Sequence, residues 1–150
     1  MKVILQKVKK ASVSVDGKVV GEIDKGYCLL VGVHKESTEA DAKYVAKKIV
    51  EARLFEDENE KLNLGLKDVN GSILSVSQFT LYADTKKGKR PSFTNAAGAE
   101  KANELYNRFN DYLREENIKV ETGIFQTMME VNIINDGPVT IIYEKLSSGN

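Results

Sequence analysis

The chain has 150 residues, the length of one ordinary domain, and no Pro-, Gly- or Ser-rich stretch divides it. Its 22 Lys+Arg balance its 22 Asp+Glu, which excludes a strongly basic nucleic-acid binder while permitting a local basic patch, and the single cysteine excludes an intrachain disulfide. The start "MKVILQKVKK" is too short and charged for a signal peptide and no run approaches the roughly 20 apolar residues of a membrane span, so a soluble cytoplasmic protein is expected.

The first third carries β punctuation. "KVILQKV" and "ASVSV" read as strands, "DGK" at Asp16–Lys18 as a hairpin turn into "VVGEI", and Lys25–Gly26 as a second turn before the apolar strand Tyr27–Val33. Cys28 lies within that apolar run and reads as a small buried hydrophobe. The period then changes. Thr38 and Asp41 have capping-box spacing, and Ala42, Val45, Ala46 and Ile49 follow at helical intervals, giving a helix over about 38–51. "RLFED" is a short strand, and the acidic stretch Glu56–Glu60 is a solvated loop.

After Gly71 comes the apolar strand "SILSV", continuing into "SQFTLYA", and then the basic segment "TKKGKRPSF". A second helix spans about 98–116, with Ala102, Leu105, Tyr106, Phe109 and Leu113 on one face. Three strand-like stretches follow, "IKVETGIF", "MMEVNII" and "PVTIIYEKL". The pattern is α+β: one domain over residues 1–150, a mostly antiparallel sheet or partly closed β-barrel, and two main helices.

Several chemistries are missing. The one histidine, His34, follows a strand without a G-x-S-x-G elbow, so it reads as a strand-end residue rather than a triad base. One His and one Cys leave no soft ligand cluster, so no metal is expected, and no P-loop or G-x-G-x-x-G is present, so no cofactor is expected either. An enzyme built from this chain works with hydroxyls, amides, backbone groups or atoms of its substrate.

Two stretches stand out. At a period of two, Gln78 and Thr80 continue the line of Leu74 and Val76, so a strand with a core face ends in an amide and a hydroxyl that need partners. Either they bond to backbone as the strand frays, or they line a site awaiting a ligand. In "NDGPVT", residues 135–140, Asn-Asp-Gly is a turn signal, and Pro138 removes a donor where an apolar strand begins. A tight turn is the local reading; a Gly–Pro bond can also be cis. The basic residues Lys86, Lys87, Lys89 and Arg90, with Lys7, Lys9 and Lys10 as a second cluster, form either solvated faces or a grip on a phosphate backbone.

"SQFTLYAD" and "NDGPVT", with "ASVSVDGKVVGEI", "KGKRPSF" and "VETGIFQTMMEVNIINDGPVTI", closely resemble the D-aminoacyl-tRNA deacylase family over nearly the whole chain. The resemblance implies a cytoplasmic homodimer that hydrolyses the ester between a D-amino acid and the terminal ribose of tRNA, and that also clears glycine from tRNA(Ala). It implies that Ser77, Gln78, Phe79 and Thr80 line the aminoacyl pocket with Met129 as part of its wall. Gln78, Phe79 and Thr80 are the implied catalytic group, with backbone N–H groups near Phe79 and Thr80 holding the oxyanion. Gly137 and Pro138 are implied to form a Gly-cisPro motif that enters the partner subunit's pocket and leaves no room for an L side chain. Lys86, Lys87, Lys89 and Arg90 are candidate tRNA contacts.

With no base in sight to activate Thr80 as a nucleophile, assistance by the ribose 2′-hydroxyl is the favoured route. The chain departs from the family at Gln6-Lys7-Val8, where an arginine is common near the Gly-Pro motif, and at Lys89, also a family arginine. A relative that removes L-amino acids and a non-catalytic nucleic-acid-binding protein are the alternatives.

Overall fold

β1 is one 14-residue strand, Lys2–Val15, and its burial pattern explains the architecture. Val3 and Leu5 are buried at a period of two, then Lys7 and Val8 are buried in succession, then Ala11 and Val13. That change of phase marks bulges between Gln6 and Val8 and between Val8 and Lys10, which let a single strand face two cores. Val3 and Leu5 pack into the helix-side core, whereas Val8, Ala11 and Val13 pack with Cys28, Leu74 and Val76. These assignments come from a computed structural model that describes residues 1–147.

A hairpin at Asp16 (φ 50°) and Gly17 (φ 77°) joins β1 to β2, Lys18–Ile23, as the Asp-Gly signal predicts. β3 (Gly26–Gly32) pairs antiparallel with the first half of β1, and β2 pairs with the second half along the same edge. Helix α1, Glu39–Glu51, then crosses over, so that the strand Ser72–Ser77 runs parallel to β3. Between them β4 (Phe55–Glu56) and β5 (Leu62–Leu64) make a two-stranded hairpin around the acidic loop. The parallel strand is thus β6; helix α2, Ala99–Arg114, returns the chain to β7, Val120–Thr122, parallel to β6. β8 runs from Glu130 to Glu144 along the other edge of β1.

The sheet is mixed and nearly closes on itself: a Cβ built on Gly21 of β2 would lie 2.8 Å from the Thr122 carbonyl oxygen of β7. The expected α+β class and two helices are present, but the strands β3, β6 and β7 are parallel, because the two helices are the crossovers. The capping box is real: Thr38 Oγ1 accepts from Asp41 N (3.2 Å), and Asp41 Oδ2 accepts from Thr38 N (3.0 Å). Ala42, Val45, Ala46 and Ile49 of α1 share a core with Ala102, Leu105, Tyr106, Phe109 and Leu113 of α2, the faces that helical spacing selects.

Two expectations are corrected. "KVILQKV" and "ASVSV" are one strand, β1, because bulges rather than a turn absorb the change of phase. "MMEVNII" and "PVTIIYEKL" are likewise halves of β8, and Asn135–Gly137 is no tight turn. Gln6 pairs with Thr140 and Val8 with Asn135, so the extra residues of "NDGPVT" bulge from a strand that keeps its direction beside the long β1.

Candidate active site

The strand "SILSVSQFTLYA" stops sooner than its alternation implies. β6 ends at Ser77, and Gln78 N donates to Val31 O at 2.8 Å as the last tie to β3. Residues Phe79–Tyr82 then coil into a 3-10 helix, with Leu81 N on Gln78 O (3.3 Å) and Ala83 N on Thr80 O (3.1 Å). Gln78 and Thr80 therefore do not extend the face of Leu74 and Val76. Instead Gln78 Nε2 donates to Thr80 Oγ1 at 2.6 Å, which fixes both side chains relative to one another. The coil presses on β3 at Gly32, where a Cβ would come within 3.0 Å of Leu81 Cβ and 3.2 Å of Gln78 O.

The first N–H groups of a helix have no acceptor within it. Those of Phe79 and Thr80 make no backbone hydrogen bond among the described residues. They stand beside a cavity of about 740 Å³ whose wall includes Ser77, Gln78, Phe79, Thr80 and Met129, so the structure brings these five sequence-selected residues together. Most of the remaining wall escaped the sequence: Val31 in β3 and Val33 just after it, Ala97 before α2, Ala99 and Ala102 on it, and Phe125–Met128 before β8. The small-residue run "NAAGA" and the apolar "IFQTMM" were the available signals, but neither differs from ordinary loop and core composition. No lining side chain is ionisable.

The other titratable candidates lie elsewhere. Cys28 is buried, and desolvation pushes its thiol up to about 12, so it is inert packing. His34 is buried beyond β3 with Nδ1 accepting from Glu36 N at 3.0 Å, and burial lowers its pKa. Lys7 is only 4% exposed and its ammonium sits 5.5 Å from the centroid of the Phe55 ring. Its backbone stands at the bulge opposite Asp136–Val139, between the Gln6–Thr140 and Val8–Asn135 pairs.

Gly137 and Pro138 are exposed on β8, and the bond between them is cis. They do not line the cavity of their own chain. Val131 of β8 does, and six residues of strand carry Gly137 about 20 Å further on. The segment is pinned by Asn135, whose Oδ1 accepts from Val139 N (3.2 Å) and whose Nδ2 donates to Thr140 Oγ1 (3.1 Å). Lys86, Lys87, Lys89 and Arg90 are exposed on the loop between the 3-10 helix and α2; they too are outside the cavity wall.

Beneath the cavity one carbonyl joins three elements. Ser75 O of β6 accepts the Tyr106 hydroxyl of α2 at 2.7 Å and Gly123 N at 3.4 Å, at the start of the segment that forms the Phe125–Met129 wall. Tyr106 also stacks on Phe125 with ring centroids 6.4 Å apart. Tyr106→Phe is expected to cost about 0.5–1.5 kcal/mol, the net worth of one hydrogen bond, since Ser75 O keeps only the longer bond from Gly123 N. Thermal unfolding should record this as a fall of a few degrees, about 2–4 °C per kcal/mol for a chain this size.

Comparison with known proteins identifies the family and the fold. The family model described as D-Tyr-tRNA(Tyr) deacylase matches residues 4–144. The D-aminoacyl-tRNA deacylase of Staphylococcus haemolyticus is 60% identical over 144 residues, covering 96% of this chain and 95% of that one. The protein of the same name from Exiguobacterium sibiricum is 57% identical over 145 residues, 97% of this chain and 100% of its own. Among solved structures, the c-Myc DNA Unwinding Element Binding Protein superposes with a TM-score of 0.90 at 39% identity, over 97% of this chain and 99% of that chain. A probable eukaryotic D-amino acid tRNA deacylase shares the fold at a TM-score of 0.79 and 18% identity, over 95% of this chain and 97% of that chain. With identity at this level held along nearly the full length of both chains, the protein belongs to the D-Tyr-tRNA(Tyr) deacylase family.

Proposed function

We propose that the protein hydrolyses the ester of D-aminoacyl-tRNA, and of glycine on tRNA(Ala), releasing the free amino acid and tRNA. The observation that carries this reading is a cavity with no ionisable side chain, beside two backbone N–H groups that lack protein acceptors. An activated ester suits such a site. The ribose 2′-hydroxyl takes a proton from water as the water oxygen bonds to the carbonyl carbon. The N–H groups of Phe79 and Thr80 receive the oxyanion, and Gln78 and Thr80 hold the edge of the pocket. The oxyanion then collapses and the C–O bond to the ribose breaks as the 2′-hydroxyl passes on a proton to the 3′ oxygen, which leaves as the hydroxyl of the tRNA. Thr80 acts by position, since its hydroxyl accepts from Gln78 and no base stands among the lining side chains.

Chirality comes from outside the protomer in this reading. Gly137–Pro138 projects from β8 of one subunit into the cavity of the other, where its backbone carbonyls occupy the space an L side chain needs and spare the abundant L-aminoacyl-tRNA. Support comes from the exposed placement of the pair and from the apolar side chains beside it on β8. Ile134 is 55% exposed and Ile142 is 65% exposed, an outward stripe suited to a second copy of the chain in a homodimer. Lys86, Lys87, Lys89 and Arg90 face solvent and guide the tRNA backbone toward the site. Cytoplasmic action follows from the substrate.

D- and L-tyrosyl-tRNA, offered separately at matched concentration, test the reading. Rapid loss of the D ester alone is expected. Loss of the L ester alone would assign the protein to an L-specific editing role, and tight binding with no hydrolysis would assign it to nucleic-acid binding without catalysis.

A further inference from the structure

A second cavity, about 340 Å³, borders the same 3-10 helix. Phe79 and Thr80 line the first cavity and Leu81 and Tyr82 line the second. At about 2 Å of rise per residue, Phe79 and Tyr82 stand about 6 Å apart along the coil, the length of a single sugar–phosphate unit.

Its wall gathers cationic and N–H donors, of which Lys2 Nζ spends one hydrogen bond on Leu81 O. Lys2 Nζ rests 5.0 Å from the centroid of the Tyr82 ring and 3.4 Å from Leu81 O, and Lys86 reaches the mouth. Neither lysine makes an ion pair among the described residues. His34 Nδ1 is taken as an acceptor by Glu36 N, so the neutral ring carries its proton on Nε2, and Tyr82 packs against the ring at a centroid distance of 5.0 Å. Burial lowers the His34 pKa and favours that neutral, donating form.

The two carboxylates in the wall are already engaged: Glu144 Oε2 accepts from the Tyr82 hydroxyl at 3.0 Å, and Asp84 Oδ1 accepts from Lys86 N at 2.9 Å. Their remaining lone pairs suit ribose hydroxyls. Two ammonium groups without ion pairs and an imidazole N–H suit the phosphate of an RNA backbone, whose ribose hydroxyls give the neighbouring carboxylates donors that a free anion lacks.

We propose that this cavity holds the phosphodiester that precedes the terminal adenosine of the tRNA substrate, with Lys2, Lys86 and His34 as its donors; the inference rests on the deacylase reading of the first cavity. The 3-10 helix then serves as a divider between the aminoacyl group and the last backbone phosphate. The strand leaving the cavity meets the exposed lysines that follow Lys86, which continue the same positive track.

The test compares adenosine with the dinucleotide CpA, which adds one phosphodiester, as ligands of the intact protein. Wild type is expected to bind CpA about tenfold more tightly than adenosine, and Lys2→Gln should lose most of that difference. On D-tyrosyl-tRNA the same variant should raise KM with kcat unchanged, and flatten the log–log salt dependence by about 0.7 for one lost single-strand phosphate contact. Hydrolysis of D-tyrosyl-adenosine, which lacks that phosphate, reads the first cavity alone. Lys86→Gln, on the exposed loop, repeats the test without disturbing packing. Equal binding of CpA and adenosine by wild type would overturn the proposal, as would equal KM shifts on the tRNA and the adenosine ester in both variants. Failure of the wild type to cleave D-tyrosyl-tRNA while still preferring CpA would instead overturn the deacylase reading.

Discussion

Replacing Phe79 by proline is expected to lower kcat by about 10²–10³, the usual cost of removing one oxyanion donor. Proline deletes only the N–H at that position, and the first residue of a helical turn tolerates it because that N–H has no acceptor in the turn. The preceding residue, Gln78, has φ −144° and ψ 85°, outside the helical region that proline disfavours in its neighbour. The Phe79 ring is 55% exposed and touches Phe93 at a centroid distance of 5.0 Å, so its loss costs little packing. Phe79→Ala separates ring from backbone: it keeps the N–H and should retain most of kcat while raising KM. Single-turnover hydrolysis of D-tyrosyl-tRNA, with circular dichroism to show that both variants fold, decides the matter. Equal kcat in the two variants would remove the backbone donor from the mechanism.

Gly137→Ala is expected to leave the fold intact and to loosen selection, raising kcat/KM for L-tyrosyl-tRNA by about 10², the size of discrimination that steric exclusion supplies. Gly137 has φ +125°, a region that L side chains rarely adopt, and a Cβ there would come within 2.8 Å of Val139 Cγ2. The site is exposed, so the strain is relieved by moving the segment rather than by unfolding the protein. Asn135 limits that movement through its bonds to Val139 and Thr140, and Gln6 Nε2 adds a third contact to the Thr140 hydroxyl at 3.3 Å.

A mixing experiment isolates the cross-subunit part. In the proposed homodimer, one Gly137→Ala chain combined with one Phe79→Pro chain would leave one intact pocket faced by one intact Gly137, and D-selective hydrolysis is the expected result. Unchanged selectivity in Gly137→Ala, or no recovery on mixing, would end the account of an inserted filter.

Much of the framework was legible in the sequence because it is written in short-range patterns. The capping box of α1, the apolar face of α2 and the Asp-Gly hairpin each need only residues within one or two turns of chain. The long strands did not yield to local reading. Lys9 and Lys10 break the apolar pattern of β1, and Asn135–Pro138 breaks that of β8, yet each strand is held straight through its break by the other. Neither interruption can be recognised as a bulge without knowing its partner.

The alternation of "SILSVSQFTLYA" failed at Ser77 for the opposite reason. Coiling places Leu81 against Gly32 of β3, a tertiary contact with no trace in the local spacing. The candidate site divided the same way. Ser77–Thr80 and Met129 were found through family motifs, whereas the alanines of α2 and the Phe125–Met128 wall contribute shape alone. Lys7, an apparent surface charge, proved buried because the bulge beside it turns its side chain toward Phe55.

A cavity walled by amides, hydroxyls, thioethers and hydrocarbon has no protonation state of its own to gain or lose over the ordinary range of acidity. Any inflection in kcat between weakly acid and weakly alkaline solution therefore originates in the aminoacyl ester, whose free amine is the titrating group nearest the reaction. An ester of an α-hydroxy acid in place of the amino acid removes that amine. Its kcat should stay flat across that range, since neutral water is the nucleophile, without the bell that a catalytic acid and base would impose.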